Sequence, residues 1–276
     1  MSLVDLIPDS DYRFQMRFEQ GSVVQFFGHT DARQRLLRER QHWLATAPHT
    51  YAALLPEGAP LLREAAELLA VAAAASGNEV PGSDSDLTDW DHCLALGARW
   101  EPDFLLLKAG SDSEIRLWGG CVCFPSSWNL QEKIGRPIEV IHGVVPGLNG
   151  QIGPQIHAFL SRLKPDVAWR RTNWGLSSSP ELNQHPARQL PSLDGASVTA
   201  AAVWFRVEHQ ALVALPRTGG ILFGIRVSVH PLNELKSERI AAARLVRALR
   251  TMPEAVACYK GLATARAALI RLLEEP

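Results

Sequence analysis

DFLLLKAGSDSEIRLWGGCVCF, residues 103–124, is the stretch whose reading decides the fold. Two runs dense in Leu, Ile, Val, Phe and Trp, DFLLLK (103–108) and EIRLWGGCVCF (114–124), flank the polar segment Gly110-Ser-Asp112. Apolar runs of that length, parted by Gly, Ser and Asp, read as two strands paired around a turn. Toward the C-terminus the strand pattern resumes at Val167–Leu176, Ser197–Val213 and Gly220–Val229, carried by β-branched and aromatic residues. Helical segments are expected between them near Leu130–Ile134 and Gln151–Leu163, and two more at Asn233–Arg250 and Pro253–Glu274.

Toward the N-terminus the period lengthens to that of a helix. Residues 30–47, TDARQRLLRERQHWLATA, open on Thr30 and Asp31 as capping residues and repeat Leu36, Leu37, Trp43 and Leu44 at helical spacing. Gly58-Ala-Pro60 opens a second helix that runs to about Ala75 and is closed by Gly77-Asn78, and a short one follows around Trp90–Leu96. Strands joined by turns, with helices before, between and after them, predict an α+β fold: an antiparallel sheet covered by helices. Residues 1–100 are expected to form a mostly helical N-terminal layer on a core spanning 101–276, the two making one structural unit. Gly77–Asp89 and Ser177–Gly195 are the candidate linkers, and the second reads as a long loop inside the domain.

Composition narrows the function classes. With 28 basic and 29 acidic residues the net charge is −1, so no general basic field argues for nucleic acid. The N-terminal MSLVDLIPDSDYRFQ has acids and a Pro where a secretory leader has basic and then apolar residues. The most apolar stretch, Leu61–Ala75, is broken by Arg63, Glu64 and Glu67 and reads as an amphipathic helix rather than a membrane span. A cytoplasmic protein with no membrane partner is expected. Cys93, Cys121, Cys123 and Cys258 include no Cys-x-x-Cys pair and read as reduced packing residues.

No phosphate-loop, dinucleotide, zincin or nucleophile-elbow motif is present. Chemistry concentrates in three places. The first is Cys123–Gly153, with Trp128, the pair Glu132 and Lys133, and His142 between Ile141 and Val144. An imidazole in apolar company is either a core histidine satisfied by backbone groups or an axial ligand to a metal or haem. His157 reads as an ordinary helix residue; His185 and His230, each before a Pro, read as surface or turn residues. The second place is WRRTNW (169–174), where alternation puts Arg171, Asn173 and Gly175 on one strand face and Arg170, Thr172 and Trp174 on the other. The third is RVEHQ (206–210), where Arg206, Glu208 and Gln210 share a face. That face is either solvated or lines a polar pocket, and Arg206 with Glu208 is either a structural ion pair or part of that pocket. Glu208 is the best candidate for a general base or a cation-binding group, since burial raises a carboxyl pKa and a neighbouring Arg lowers it.

Taken in order, FPSSWNLQEKIG (124–135), IHGVVPGLN (141–149), RTNW, RVEHQALVALPRTGGILFGIR (206–226) and MPEAVACYKGL (252–262) resemble the haem-dependent oxidative N-demethylases. The early RFQMRF (13–18) fits as well, and the resemblance spans roughly residues 10–265. It implies a PAS-like antiparallel sheet holding haem b, and O2-dependent loss of a methyl group as formaldehyde from a small secondary methylamine such as dimethylamine. It also implies electrons from NADPH through a separate reductase with flavin and an iron–sulfur cluster, and in some members a tetrahydrofolate-binding partner. Carried over, His142 becomes the axial ligand of the haem iron. Lys133 and Arg171 become cofactor-binding cations for the propionates, with Trp174 beside them, and Arg206 and Glu208 become catalytic candidates. The strand after Arg206-x-Glu208-x-Gln210 departs from the family pattern, with Ala211 and Ala214 where a Thr and an Arg are usual. A haem-binding PAS-type sensor and a haem-free scaffold subunit are the alternatives.

Overall fold

The computed structural model describes residues 2–75, 87–196 and 198–275. Gly77-Asn78, most of the Gly77–Asp89 linker and Ser197 lie outside the described residues. Seven strands form one antiparallel sheet: β1 (Glu19–Gly21), β2 (Ala52–Leu54), β3 (Asp103–Ala109), β4 (Ile115–Cys121), β5 (Ala168–Ser177), β6 (Trp204–Leu215) and β7 (Gly220–Pro231), in the order β1-β5-β6-β7-β3-β4-β2. Twelve helices surround it among the described residues. Six precede β3: α1 (Leu3–Leu6), α2 (Val23–Phe27), α3 (Arg33–Thr46), α4 (Pro48–Tyr51), α5 (Ala59–Ala75) and α6 (Asp89–Arg99). Two lie between β4 and β5, α7 (Ile138–His142) and α8 (Leu148–Leu160). Four close the chain: α9 (Leu232–Ser237), α10 (Arg239–Thr251), α11 (Glu254–Tyr259) and α12 (Arg266–Glu274). The α+β fold expected from the strand and helix patterns is the fold observed.

The decisive stretch forms the β3–β4 hairpin. Its turn closes with Gly110 N–H on Glu114 O at 2.8 Å, and Arg116 pairs with Asp112 and Glu114. Gly120 is held at φ +156°, where an added Cβ would stand 2.4 Å from the Phe104 carbonyl oxygen, so no side chain fits this crossing with β3. The longest pairing is β6 with β7, register partners running from Trp204↔Pro231 to Leu215↔Gly220. Its turn is held from the helical layer. Glu64 of α5 accepts the N–H groups of Arg217 and Thr218, both at 2.8 Å, and the Thr218 hydroxyl at 2.5 Å.

Alternation along β6 sorts the core. Phe205 and Val207 join Leu6, Leu235, Leu245 and Leu249 in one apolar cluster, while Ala211, Val213 and Leu215 join Phe26, Leu44, Leu61 and Leu62 in a second. Both lie on the same face, the first under the terminal helices and the second under α2, α3 and α5. Leu212 faces the other way, with Leu105, Leu117, Ile221 and Ile225, beneath Ile156 and Phe159 of α8. A buried ion pair ties the layers: Arg40 of α3 meets Asp103 at 2.5 Å, and Asp103 also accepts the N–H groups of Cys123 (2.7 Å) and Phe124 (2.9 Å).

Several local expectations need correction. Residues 131–135 are consecutive turns rather than a helix, because Gly135 at φ +75° breaks the run. Asn233–Arg250 is two helices, parted at Glu238, and Pro253–Glu274 is also two, parted after Gly261 at φ +66°. In both cases the apolar period continues across the break and hides it. The expected strand from Ser197 begins at Trp204. Thr30 does not cap α3; its hydroxyl donates to Glu101 at 2.7 Å. Cys121 and Cys123 pack in the core as expected, with their sulfurs 3.8 Å apart.

Candidate functional site

Register joins the two polar triplets that the sequence leaves apart. Across β5 and β6, Arg171 faces Gln210, Asn173 faces Glu208 and Gly175 faces Arg206, so all six share one sheet face. This polar wall continues the apolar floor of Leu212 and Ile225 at its β5 end. A Cβ built on Gly175 would meet nothing within 4 Å, which leaves open space in front of the wall. Glu208 accepts a hydrogen bond from Gln210 Nε2 at 2.9 Å.

Arg206 is not paired with Glu208 in a direct ion pair. Its Nε donates to Ser126 Oγ at 2.7 Å, and its terminal nitrogens donate to the carbonyls of Phe124 (2.8 Å), Leu182 (2.8 Å) and Glu181 (3.2 Å). Burial brings this guanidinium down to about 10, opposed by Glu208 and Asp103. The side chain clamps residues 124–126 to residues 181–182 at the end of the wall.

His142 is the last residue of α7, a helix that begins after Pro137, where the fixed ring torsion suits a helix start. It lines a cleft of about 290 Å³ between α7 and α8, with Ile138, Gly153, Ile156 and His157. Burial first, then Arg171 and Lys133, push the imidazole down to about 4. It is therefore neutral at physiological pH, with a lone pair available. Burial also lowers Lys133 and Arg171; Glu208 is the opposing influence on Arg171. The Lys133 ammonium lies 6.0 Å from the Trp128 ring centroid and the Arg171 guanidinium 5.8 Å from that of Phe18. None of the His142, Lys133 and Arg171 side chains has a hydrogen bond or ion pair among the described residues. Arg171 and Lys133 both act on His142, while Glu208 acts on Arg171 and Glu132 on Lys133 without a direct ion pair.

Trp174 is placed on the opposite face of β5. It stacks on Phe205 at 6.0 Å and meets Tyr12 edge-on at 6.4 Å. The same alternation moves Ala211 away from the wall and into the core with Phe26 and Leu61. Its lost hydroxyl is therefore not a loss from the wall; Ala214 keeps the wall's parity but lies two pleats beyond Gln210.

Two residues given no role in the sequence reading lie at the β5 edge between the wall and Trp174, the Lys260 ammonium 5.4 Å from the Trp174 ring centroid. Lys260 donates to the Trp174 carbonyl at 2.8 Å, over the edge of β5 that β1 leaves uncovered beyond Arg170. Burial lowers its ammonium to about 8, against the pull of Glu208. Tyr259, beside it, is raised by burial and by Glu208. The local signal was Lys260-Gly261 after a helical run, since glycine at φ +66° turns the chain at a helix end. His185 is buried rather than superficial, its Nδ1 accepting the Ala187 N–H at 3.1 Å. Among the described residues no three His, Cys, Asp or Glu side chains form a ready metal cage, and no helix is long and apolar enough to cross a membrane.

A family model described as haem-dependent oxidative N-demethylase, alpha subunit-like, matches residues 25–270.

Proposed function

This chain belongs to the haem-dependent oxidative N-demethylase family, alpha-subunit-like, and on that footing we propose that it is the haem-bearing subunit of a monooxygenase. The substrate is a small secondary methylamine of the dimethylamine kind, converted to the primary amine and formaldehyde. One observation carries the reading: His142, Lys133 and Arg171, three basic groups whose side chains have no hydrogen bond or ion pair among the described residues, gather beside the wall that bears Glu208.

These residues fit a haem b. A neutral imidazole whose ring nitrogens are both free would suit an iron ligand, and two cations held only against aromatic rings would suit the propionates. His142 would hold the iron, and Lys133 and Arg171 the carboxylate edge. When bound, the haem supplies O2-dependent oxidation of the C–H bond next to nitrogen.

The chain's own groups do the rest. Glu208, fixed by Gln210, binds the ammonium of the substrate and orients its methyl group. Lys260, near 8, exchanges a proton close to neutral pH at the side of Glu208. Arg206 acts as a positioning residue: its hydrogen bonds fix residues 124–126, which lead into Trp128 and Lys133. Trp174 supports this face from behind. Electrons come from a separate NADPH-dependent reductase carrying flavin and an iron–sulfur cluster, and a tetrahydrofolate-binding subunit takes up the formaldehyde. We place the assembly in the cytoplasm, with residues 1–100 and the PAS-like core of 101–276 working as one unit.

The test is an absorption spectrum of the protein expressed with a haem precursor, before and after dithionite and CO. A Soret band that shifts with CO is expected, and His142→Ala should abolish stoichiometric haem uptake. A normal Soret band in that variant overturns the ligand assignment. Glu208→Gln should retain haem but lose amine-dependent O2 consumption by at least tenfold; unchanged consumption removes Glu208 from the reaction.

A further inference from the structure

On the other face of the sheet, in the polar gap between the two apolar clusters, two imidazoles converge on one hydroxyl. His209 Nε2 lies 3.0 Å from Ser228 Oγ and His230 Nε2 lies 3.1 Å from the same atom. His209 and Ser228 come from neighbouring strands, β6 and β7, and His230 follows Ser228 by two residues on β7. The reading of His230 as a surface or turn residue therefore does not hold: it is half-buried in β7 and turned inward onto Ser228. A serine hydroxyl has one proton, so it donates to one ring at most and accepts from the other.

The far side of His230 fixes the arrangement. Its Nδ1 lies 3.7 Å from Glu234 Oε2, one turn into α9. A carboxylate behind the ring favours the proton on Nδ1 and leaves the Nε2 lone pair pointing at Ser228. The carboxylate stands at ion-pair rather than hydrogen-bond distance, and closing that gap would give the outer arrangement of a metal-binding histidine. Burial first, then His230 and Arg226, lower the His209 imidazole; its Nε2 donates to Ser228 in this arrangement, and ion binding moves that proton to Nδ1. Arg226 is itself engaged, by Glu101 at 2.7 Å and by the carbonyls of Phe26 and Gly28.

We propose that His209, His230 and the Ser228 hydroxyl form a binding site for one borderline divalent transition ion of the zinc and copper class, with water completing the shell. Imidazole nitrogens with an oxygen suit such an ion better than Mg2+ or Ca2+. The site pins β6 to the β7–α9 corner, on the sheet face opposite the haem pocket. It does not depend on the haem reading.

The test titrates Zn2+ into the chelator-treated full chain and reads stoichiometry by calorimetry. One equivalent is expected to bind. His209→Gln and His230→Gln should each weaken it at least tenfold, and Glu234→Gln about tenfold. His142→Ala should leave the zinc isotherm in place, which separates this site from the haem pocket. A wild-type chain that takes up no Zn2+, or a His209→Gln/His230→Gln double variant that binds as the wild type does, overturns the proposal. A second readout needs no variant: Zn2+ should slow acylation of His209 and His230 by diethyl pyrocarbonate, read by mass spectrometry. Unchanged labelling of both also overturns it.

Discussion

At the scale of single residues, the site is governed by what has no partner. His142 is pushed down to about 4 from an ordinary 6.5, so the unfolded chain binds a proton there that the folded chain refuses. Between those values the folded state is penalised as pH falls, and stability rises with pH through the same window. Apo protein should therefore lose urea resistance from about pH 6.5 down to pH 4, and His142→Gln should lessen that loss. An identical pH slope in the variant would place His142 in ordinary solvent. Arg206 behaves oppositely, with its donors engaged. Arg206→Met should destabilise the fold by roughly 3 kcal/mol, since charge-assisted hydrogen bonds are worth about 1.5–3 kcal/mol each and part is recovered by packing. The alternation of RVEHQ and WRRTNW was legible from the chain alone. What was not legible is that Arg206 reaches carbonyls of Phe124 and Leu182, because those contacts depend on loops with no periodicity.

At the scale of elements, the hairpins were legible because apolar runs and turn residues coincide in β3–β4 and β6–β7. The edge strands β1 and β2 were not, because three residues each carry no measurable alternation. Register is the quantity that composition cannot supply. It places Glu208 opposite Asn173, and hence turns two separate polar triplets into a wall. The β6–β7 turn has its own lock in Glu64. Burial works to raise this carboxyl, but the hydrogen bonds from Thr218 and the Arg217 and Thr218 N–H groups leave it below the ordinary 4.5. A lowered folded pKa adds stability above the unfolded value that is lost as pH falls through the folded one. Glu64→Gln should therefore lower the urea midpoint at pH 7 more than at pH 3; equal losses at both would mean that charge plays no part.

At the scale of the whole molecule, the Arg40–Asp103 pair joins the helical layer to the sheet and to the backbone of Cys123 and Phe124. Breaking such a pair leaves a buried charge, and Arg40→Met should cost about 3–5 kcal/mol in chemical denaturation. Arg40→Met with Asp103→Leu together should recover part of that loss; additive losses would show no coupling. The helical layer, with its 3.6 period, was readable in advance, but its ionic bond to the sheet was not, because Arg40 and Asp103 are 63 positions apart. The order in which the wall is built follows from the long β6–β7 hairpin. That hairpin closes over the four residues 216–219 and pairs locally, so its loop-closure entropy is small and it can form early. Strand β5 must then return across the 26 residues 178–203, and the α7 segment from further still. In a refolding chain half of the wall thus exists before the segment bearing His142 docks, and on the proposed reading cofactor capture is a late event in folding rather than its template.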